Sequence, residues 1–285
     1  MIRATSALAV LAALTLYPAA ARATGHGPVY GVATPTLAKG AWSLDLGVMS
    51  RSVARNNTSV MLRPLIAYGI TEDLQVSASL PVPLYTPEGM RPVRMMAMMP
   101  ATPDVEVLLG WRFHREGTGV GSRFESTAYL GVDYPTDSVR NGVKTSPGIY
   151  AAAVTGYASR SVYAWAGGMY RRYLSPTGPT TDHPGDLLMC SLVVGYRPPV
   201  FRKELPHADW RVFIEAIGEV IDRDRLAGGE LPNTGGKRIF AGPTLLGLYG
   251  SWGLSGGPIF PVYTRLNGTQ PKDRVRMVVN LTYWF

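Results

Sequence analysis

The chain closes on Val275-Arg276-Met277-Val278-Val279-Asn280-Leu281-Thr282-Tyr283-Trp284-Phe285. Val275, Met277, Val279, Leu281, Tyr283 and Phe285 share one face of an extended segment, while Arg274, Arg276, Asn280 and Thr282 share the other. This is the period of two expected of a strand separating an apolar from a polar environment. Tyr283 and Trp284 supply an aromatic pair of the kind that collects at a membrane interface.

The same alternation recurs upstream. Trp42, Leu44, Leu46 and Val48 oppose Ser43, Asp45, Gly47, Met49 and Arg51. Val60, Leu62, Pro64, Ile66 and Tyr68 oppose Ser59, Met61, Arg63, Leu65 and Ala67, and beyond the turn Thr71-Glu72-Asp73, Leu74, Val76, Ala78, Leu80 and Val82 oppose Gln75, Ser77 and Ser79. Further strands are expected near 103–114, 123–134, 147–158, 161–173, 186–197, 209–222, 237–248, 251–263 and 273–285, twelve in all. Those near 161–173 and 237–248 alternate too poorly for faces to be assigned. The connections alternate as well. They are short at 71–73, 115–122, 159–160 and 249–250, intermediate at 198–208, and long at 84–102, 135–146, 175–185, 223–236 and 264–272. An even strand count with short turns at one end and long loops at the other is the arrangement of bacterial outer-membrane barrels, with periplasmic turns and extracellular loops. The fold class expected is therefore all-β, a closed antiparallel transmembrane barrel of about twelve strands.

Composition excludes the competing classes. Of 285 residues 46% are apolar, 10% aromatic and only 17% charged, with 32 Gly, which rules out disorder and long-helix proteins. The single cysteine, Cys190, can form no internal disulfide or thiolate metal cluster. The net charge of +8 is spread along the chain without basic runs, so no nucleic-acid footprint is present. Residues 1–23 carry Arg3, an apolar run from Ala7 to Tyr17, Pro18 and Ala21-Arg22-Ala23, the order of a secretory signal peptide, and the run is too short to span a bilayer. After Ala23 no window of about 19 residues is continuously apolar. The organisation expected is a signal peptide over 1–23, a periplasmic or plug-like segment over 24–41 and an outer-membrane barrel over 42–285.

The final strand with its terminal Phe285 resembles the C-terminal signature by which the barrel assembly machinery recognises outer-membrane proteins, with Tyr283 and Phe285 as the signal residues. The stretches Thr34-Pro35-Thr36-Leu37-Ala38-Lys39-Gly40-Ala41-Trp42-Ser43 and Ala67-Tyr68-Gly69-Ile70-Thr71-Glu72-Asp73-Leu74-Gln75-Val76 resemble a family of outer-membrane transporters named after the meta-pathway of phenol degradation. The resemblance covers most of the chain after the leader. It implies a barrel and a transport role, and its motifs are strand and turn patterns that carry no catalytic or binding residues.

Several side chains are candidates for function. Arg211, Glu215 and Glu219 alternate with Trp210, Val212, Ile214 and Ala216, so these charges point away from lipid, where one near the midplane would cost a few kcal/mol. By the same logic Asp45, Arg63, Asp104, Glu106, Arg112, Glu125, Asp133 and Arg276 line the interior, as a charge-selecting constriction or as paired filling. Met90, Met95, Met96, Met98 and Met99 lie between Leu84 and Thr102 among Arg91 and Arg94, as a gate or as soft ligands for Cu(I). Cleavage after Ala23 would expose Thr24-Gly25-His26, whose amine, amides and imidazole suit square-planar Cu(II). Gly253-Leu254-Ser255-Gly256-Gly257 spells a nucleophile elbow, with His114, His183 and His207 as possible bases, but no helix follows Ser255.

The function expected is a non-enzymatic, cofactor-free channel of the Gram-negative outer membrane for passive passage of small solutes, aromatic or apolar. Its expected partners are outer-membrane lipid, the barrel assembly machinery and the solute, without nucleic acid. Copper or heavy-metal handling through the methionine loop and His26 is the first alternative, and an outer-membrane barrel hydrolase the second.

Overall fold

The structure, a computed structural model, describes residues 27–54, 57–87, 104–136, 139–140, 143–174, 182–202 and 207–285. Twelve antiparallel strands form the wall: β1 (Trp42–Ala54), β2 (Asn57–Gly69), β3 (Leu74–Ser79, resuming at Val82–Tyr85), β4 (Val105–Gly119), β5 (Ser122–Tyr134), β6 (Gly148–Ala158), β7 (Val162–Tyr173), β8 (Leu187–Tyr196), β9 (Asp209–Ile221), β10 (Gly236–Tyr249), β11 (Trp252–Leu266) and β12 (Val275–Trp284). Each pairs with its neighbours in sequence, and β1 pairs with both β2 and β12, so the sheet closes. Closure leaves no sheet edge, the condition for spanning lipid with strands.

The expected strand positions hold to within a few residues, with three physical differences. β3 breaks at Leu80-Pro81, where proline has no N–H for the ladder, and the second piece pairs again with β2. β4 runs on to Gly119, so the eight residues expected as a connection are mostly strand, and a two-residue turn at Val120-Gly121 suffices because Gly121 adopts φ +73°. The 222–235 connection folds back as a small hairpin, Arg225–Leu226 against Gly229–Glu230, and the 197–208 turn holds one 3-10 turn at Pro199–Phe201.

The outer surface is apolar around the circumference. Leu46, Val48, Ile66, Val107, Leu109, Leu130, Val132, Leu192, Val194, Ile214, Leu245, Val279 and Leu281 are all exposed. On a water-soluble protein such a belt would be an aggregation hazard; around a closed barrel it is the lipid-contacting band. Cys190 lies in this outer file beside Leu188 and Leu192. At the short-turn end a chain of rings runs from Tyr68 to Trp42, Phe285, Tyr283 and Trp252, with centroids 4.6 to 6.4 Å apart. Trp284 is not part of that girdle, in contrast to the expectation. It points inward and lies over Gly253, where a side chain would collide with its ring.

The inner face repeats that device. Gly110, Gly131, Gly156 and Gly195 stand on inward positions, and added Cβ atoms there would strike the rings of Tyr129, Tyr150, Trp165 and Phe213 on the neighbouring strand. Glycine at these four positions therefore makes room for aromatic side chains lying flat along the wall. The interior is accordingly mixed, not simply polar. Tyr163, Trp165 and Phe213 form a contiguous aromatic patch with centroids 5.7 to 6.1 Å apart.

Candidate functional site in the barrel lumen

Residues 27–38 lie inside the barrel, with Val29, Tyr30, Val32, Thr34, Thr36 and Leu37 all buried, and Lys39 and Gly40 are exposed at its mouth. The segment enters at the short-turn end, where Gly40 N donates to Gly69 O (2.8 Å), Gly69 N donates to Ala41 O (2.9 Å) and Thr36 Oγ1 donates to Glu72 O (2.8 Å). A side chain at Gly69 would overlap Ala38 O, so glycine is what lets the segment lie against β2. Going inward, Leu37 N donates to Gln75 Oε1 (3.0 Å), Thr127 Oγ1 donates to Thr34 O (2.6 Å), Trp165 Nε1 donates to Thr34 Oγ1 (3.0 Å) and Tyr129 Oη donates to Ala33 O (2.7 Å). Its contacts thus cross from β3 through β5 and β7 to β8, where Val32 N donates to Ser191 Oγ (3.3 Å).

The apex is held by one carboxylate. Glu215, fully buried near the middle of β9, accepts the backbone N–H groups of Val29 (2.7 Å), Tyr30 (2.8 Å) and Gly31 (2.8 Å), and Thr244 Oγ1 donates to it at 2.5 Å. Three consecutive amides converging on one anion make a nest, a concave array of N–H dipoles. Charge-assisted bonds of this kind contribute about 1.5–3 kcal/mol each. Tyr30 continues across the lumen and donates to Gly257 O at 2.7 Å. Burial, reinforced by nearby Glu215, pushes the Tyr30 phenol well above its ordinary range, so it remains a neutral donor.

The charged residues expected in the lumen are inside, and Glu106, Arg112, Glu125, Asp133, Arg211, Glu219 and Arg276 enter ion pairs. In one cluster Arg276, fully buried, forms a two-point pair with Glu219 (2.7 and 3.2 Å), meets Asp273 at 2.9 Å and stacks on Phe240 with its guanidinium 4.0 Å from the ring centroid. Arg238 bridges Glu219 and Asp273 (3.3 and 3.4 Å), and Arg51 reaches Asp273 at 2.5 Å. Burial alone would raise the Asp273 carboxyl, but Arg276, Arg51 and Arg238 outweigh it and hold it below the usual carboxylate range.

A second cluster joins Glu106 to Arg171 (3.1 Å) and Arg171 to Asp133 (3.7 Å), with Tyr150 beneath the guanidinium. Arg63 is within electrostatic reach of both Glu106 and Asp45, and Asp45 accepts from Asn280 (3.2 Å) and Thr282. At the short-turn end Glu125 meets Arg112 (3.1 Å) and Arg123 (3.0 Å), Arg112 also meets Asp73 (2.7 Å), and Arg211 pairs with Asp209 (2.8 Å). Asp104 is buried beside Thr136, whose N donates to it at 3.4 Å.

Sequence reading put Arg51 on the polar face of its strand without giving it a lumen role, and it missed Arg171, Arg238 and Asp273. Arg171 and Arg238 belong to the two strands whose alternation is obscured by inward rings, and Asp273 precedes its strand. The methionines at 90, 95, 96, 98 and 99 and His26 fall outside the described residues, as does the stretch 1–23 expected to be a signal peptide. The elbow reading fails on local geometry: Ser255 sits inside β11, paired with Leu246 and Asn280, and not at a strand-to-helix turn. His114 lies in the extension of β4, 3.8 Å from Glu116, and His183 lies in the β7–β8 connection with Nδ1 against Pro184 O.

No protein-family model matches the chain, and no curated protein matches its sequence. Among solved structures it is similar to an outer-membrane channel from Pseudomonas putida F1, at 12% identity and a TM-score of 0.62 over 91% of this chain and 99% of that one. It is also similar to the NanC porin (10% identity, TM-score 0.50, 84% of this chain and 98% of that one) and to LpxR from Salmonella typhimurium (10%, 0.50, 85% and 100%). A closed twelve-stranded barrel with this fold and a lipid-facing apolar belt is an outer-membrane protein of a Gram-negative bacterium.

Proposed function

We propose that the protein is an outer-membrane channel for passive passage of small solutes, resting in an occluded state in which its own segment 27–38 fills the lumen. The observation that carries this reading is the way the segment is held. Polar side chains and one carboxylate, Glu215, grip its backbone through hydrogen bonds that water or a solute can replace. Val29, Tyr30, Val32 and Leu37 also pack into the apolar cluster of the lumen, so release of the segment costs that burial as well as the hydrogen bonds. Opening consists of releasing the nest from Glu215 and withdrawing the apex toward the short-turn end, where the Gly40–Gly69 contact acts as the hinge.

The solute class we infer is small and aromatic. The patch of Tyr163, Trp165 and Phe213 lies beside the segment's path, and the charged clusters on either side are internally paired, which leaves flat apolar faces as the surface uncovered by withdrawal. Membership of the transporter family named after the meta-pathway of phenol degradation is part of this proposal. It is supported by the two stretches carrying the resemblance, which meet at the Gly40–Gly69 contact.

Planar-bilayer recording tests the reading. Glu215→Ala is expected to raise the open probability at least tenfold over wild type, and phenol is expected to block the open current. Equal, silent traces from folded wild type and variant, or a current indifferent to phenol, would each count against the corresponding part.

A further inference from the structure

At the long-loop end the outer surface carries a cavity of about 700 Å³ roofed by the 222–235 connection. Its lining includes five cations, Arg172, Arg223, Arg225, Lys237 and Arg265, against Asp186, Asp222 and Glu230. Glu230 lies 3.3 Å from Arg223 and 3.9 Å from Arg225, whereas Asp186, which accepts from Tyr170 Oη at 2.8 Å, and the exposed Asp222 keep their charges, so the cations exceed the acids by two. Arg172, Lys237 and Arg265 enter no ion pair among the described residues.

The strand register shows which way this cavity faces. Arg171 and Arg238 point into the barrel, so Arg172 and Lys237 point out of it, in line with the outward side chains of Tyr170, Leu188 and Ile239 one step nearer the membrane centre. Lys237 and Arg265 stand directly opposite each other on β10 and β11. Like charges in that relation repel and destabilise the sheet unless an anion lies between them. The roof is tied down: His183 and Arg225 exchange backbone hydrogen bonds (3.2 and 2.9 Å), Gly185 N donates to Asp224 Oδ1 (2.8 Å) and Ala227 N donates to Asp182 Oδ1 (2.6 Å).

A groove with a cationic, outward-facing floor immediately above a lipid-facing apolar band is placed where headgroups lie, and guanidinium and ammonium groups are the natural partners of phosphate there. We propose that this groove binds the phosphorylated headgroup of a lipid of the outer leaflet, with Lys237 and Arg265 holding the phosphate and Arg172 at its flank. The acyl chains would then run down the outer wall over Leu188 and Ile239.

The test is binding of fluorescent bisphosphorylated lipid A to the purified full-length barrel in neutral detergent, against the same lipid with its phosphates removed and with inorganic phosphate as competitor. The expected result is at least tenfold tighter binding of the phosphorylated lipid, no competition by millimolar inorganic phosphate, and a tenfold loss in Lys237→Gln/Arg265→Gln. Lys272→Gln/Arg274→Gln, which removes two exposed cations of the same rim outside the groove, is expected to bind as wild type does. Both variants replace exposed side chains, and retention of the heat-modifiable folded band confirms that they fold. Equal affinity for the dephosphorylated lipid, equal loss in both double variants, or displacement by free phosphate would each overturn the proposal, the last by identifying a free-anion site instead.

Discussion

Glu215 has a polar role that its position in an alternating strand could only half disclose. The pattern from Trp210 to Glu219 requires the carboxylate to face inward, and it does, but the partners are backbone amides 184 to 186 residues earlier, which no spacing rule reaches. Replacing it by Ala leaves three buried N–H groups without their acceptor at about 1–3 kcal/mol each. Glu215→Gln, which keeps one acceptor oxygen, should therefore release the segment less than Glu215→Ala, and tryptophan fluorescence from Trp165, whose indole N–H donates to Thr34, should shift in the same order. Indistinguishable spectra for the two variants would argue against the latch. Asp273 makes a pH prediction. Its carboxyl is held below the ordinary value near 3.8, so its stabilising contribution is complete above that value and is lost only as pH falls through the lower, folded-state value. The thermal midpoint of the wild-type barrel should thus be insensitive to this cluster at pH 5 and fall below about pH 4, a dependence that Asp273→Asn should weaken. Arg276 was legible as inward-facing because its strand alternates cleanly; Asp273, one residue outside any periodic run, was not.

Strand identity was legible wherever one face is apolar and the other polar, as in β1, β2 and β12. In β7 and β10 the strand was still placed but its faces were obscured, as in β7, where both faces carry apolar side chains for different reasons: Val162 and Tyr170 face outward, whereas Tyr163, Trp165 and Met169 line the interior. No described glycine lies under Phe240 of β10, but in β7 the neighbouring glycine could have served as the signal, since Trp165 lies over the inward Gly156 one strand away. This pairing has a measurable cost. Gly156→Ala sets a Cβ against the Trp165 ring and should lower stability by about 1–3 kcal/mol, as overpacking does. Gly218→Ala, whose added Cβ meets nothing within 4 Å, should stay within about 0.5 kcal/mol of wild type by urea titration of the folded band in lipid. The outer face can be tested in the same assay: Ile214→Arg in mid-β9 should cost about 2–4 kcal/mol, the expense of a charge at the bilayer midplane.

For the molecule as a whole, strand count and closure followed from local pattern because every strand pairs with its neighbour in sequence, while the alternation of turns and loops breaks at β1 and β2, which only two residues join at the long-loop end. Local pattern left residues 24–41 as a periplasmic or plug-like segment; what it could not reveal is which of the two, since the contacts that put residues 27–38 inside the wall are with strands far along the chain. The central claim, that this segment occludes a conducting lumen and can leave it, is tested most directly by a reversible lock. An added Cβ at Gly31 lies 2.7 Å from Val193 Cγ2, so Gly31→Cys with Val193→Cys, in a Cys190→Ser background, places two thiols within bridging reach across the segment and β8. Single-channel recording of that protein should give no current when oxidised and intermittent openings once the bond is reduced. Identical currents before and after reduction, with the disulfide verified by mass, would mean that the segment is not the gate.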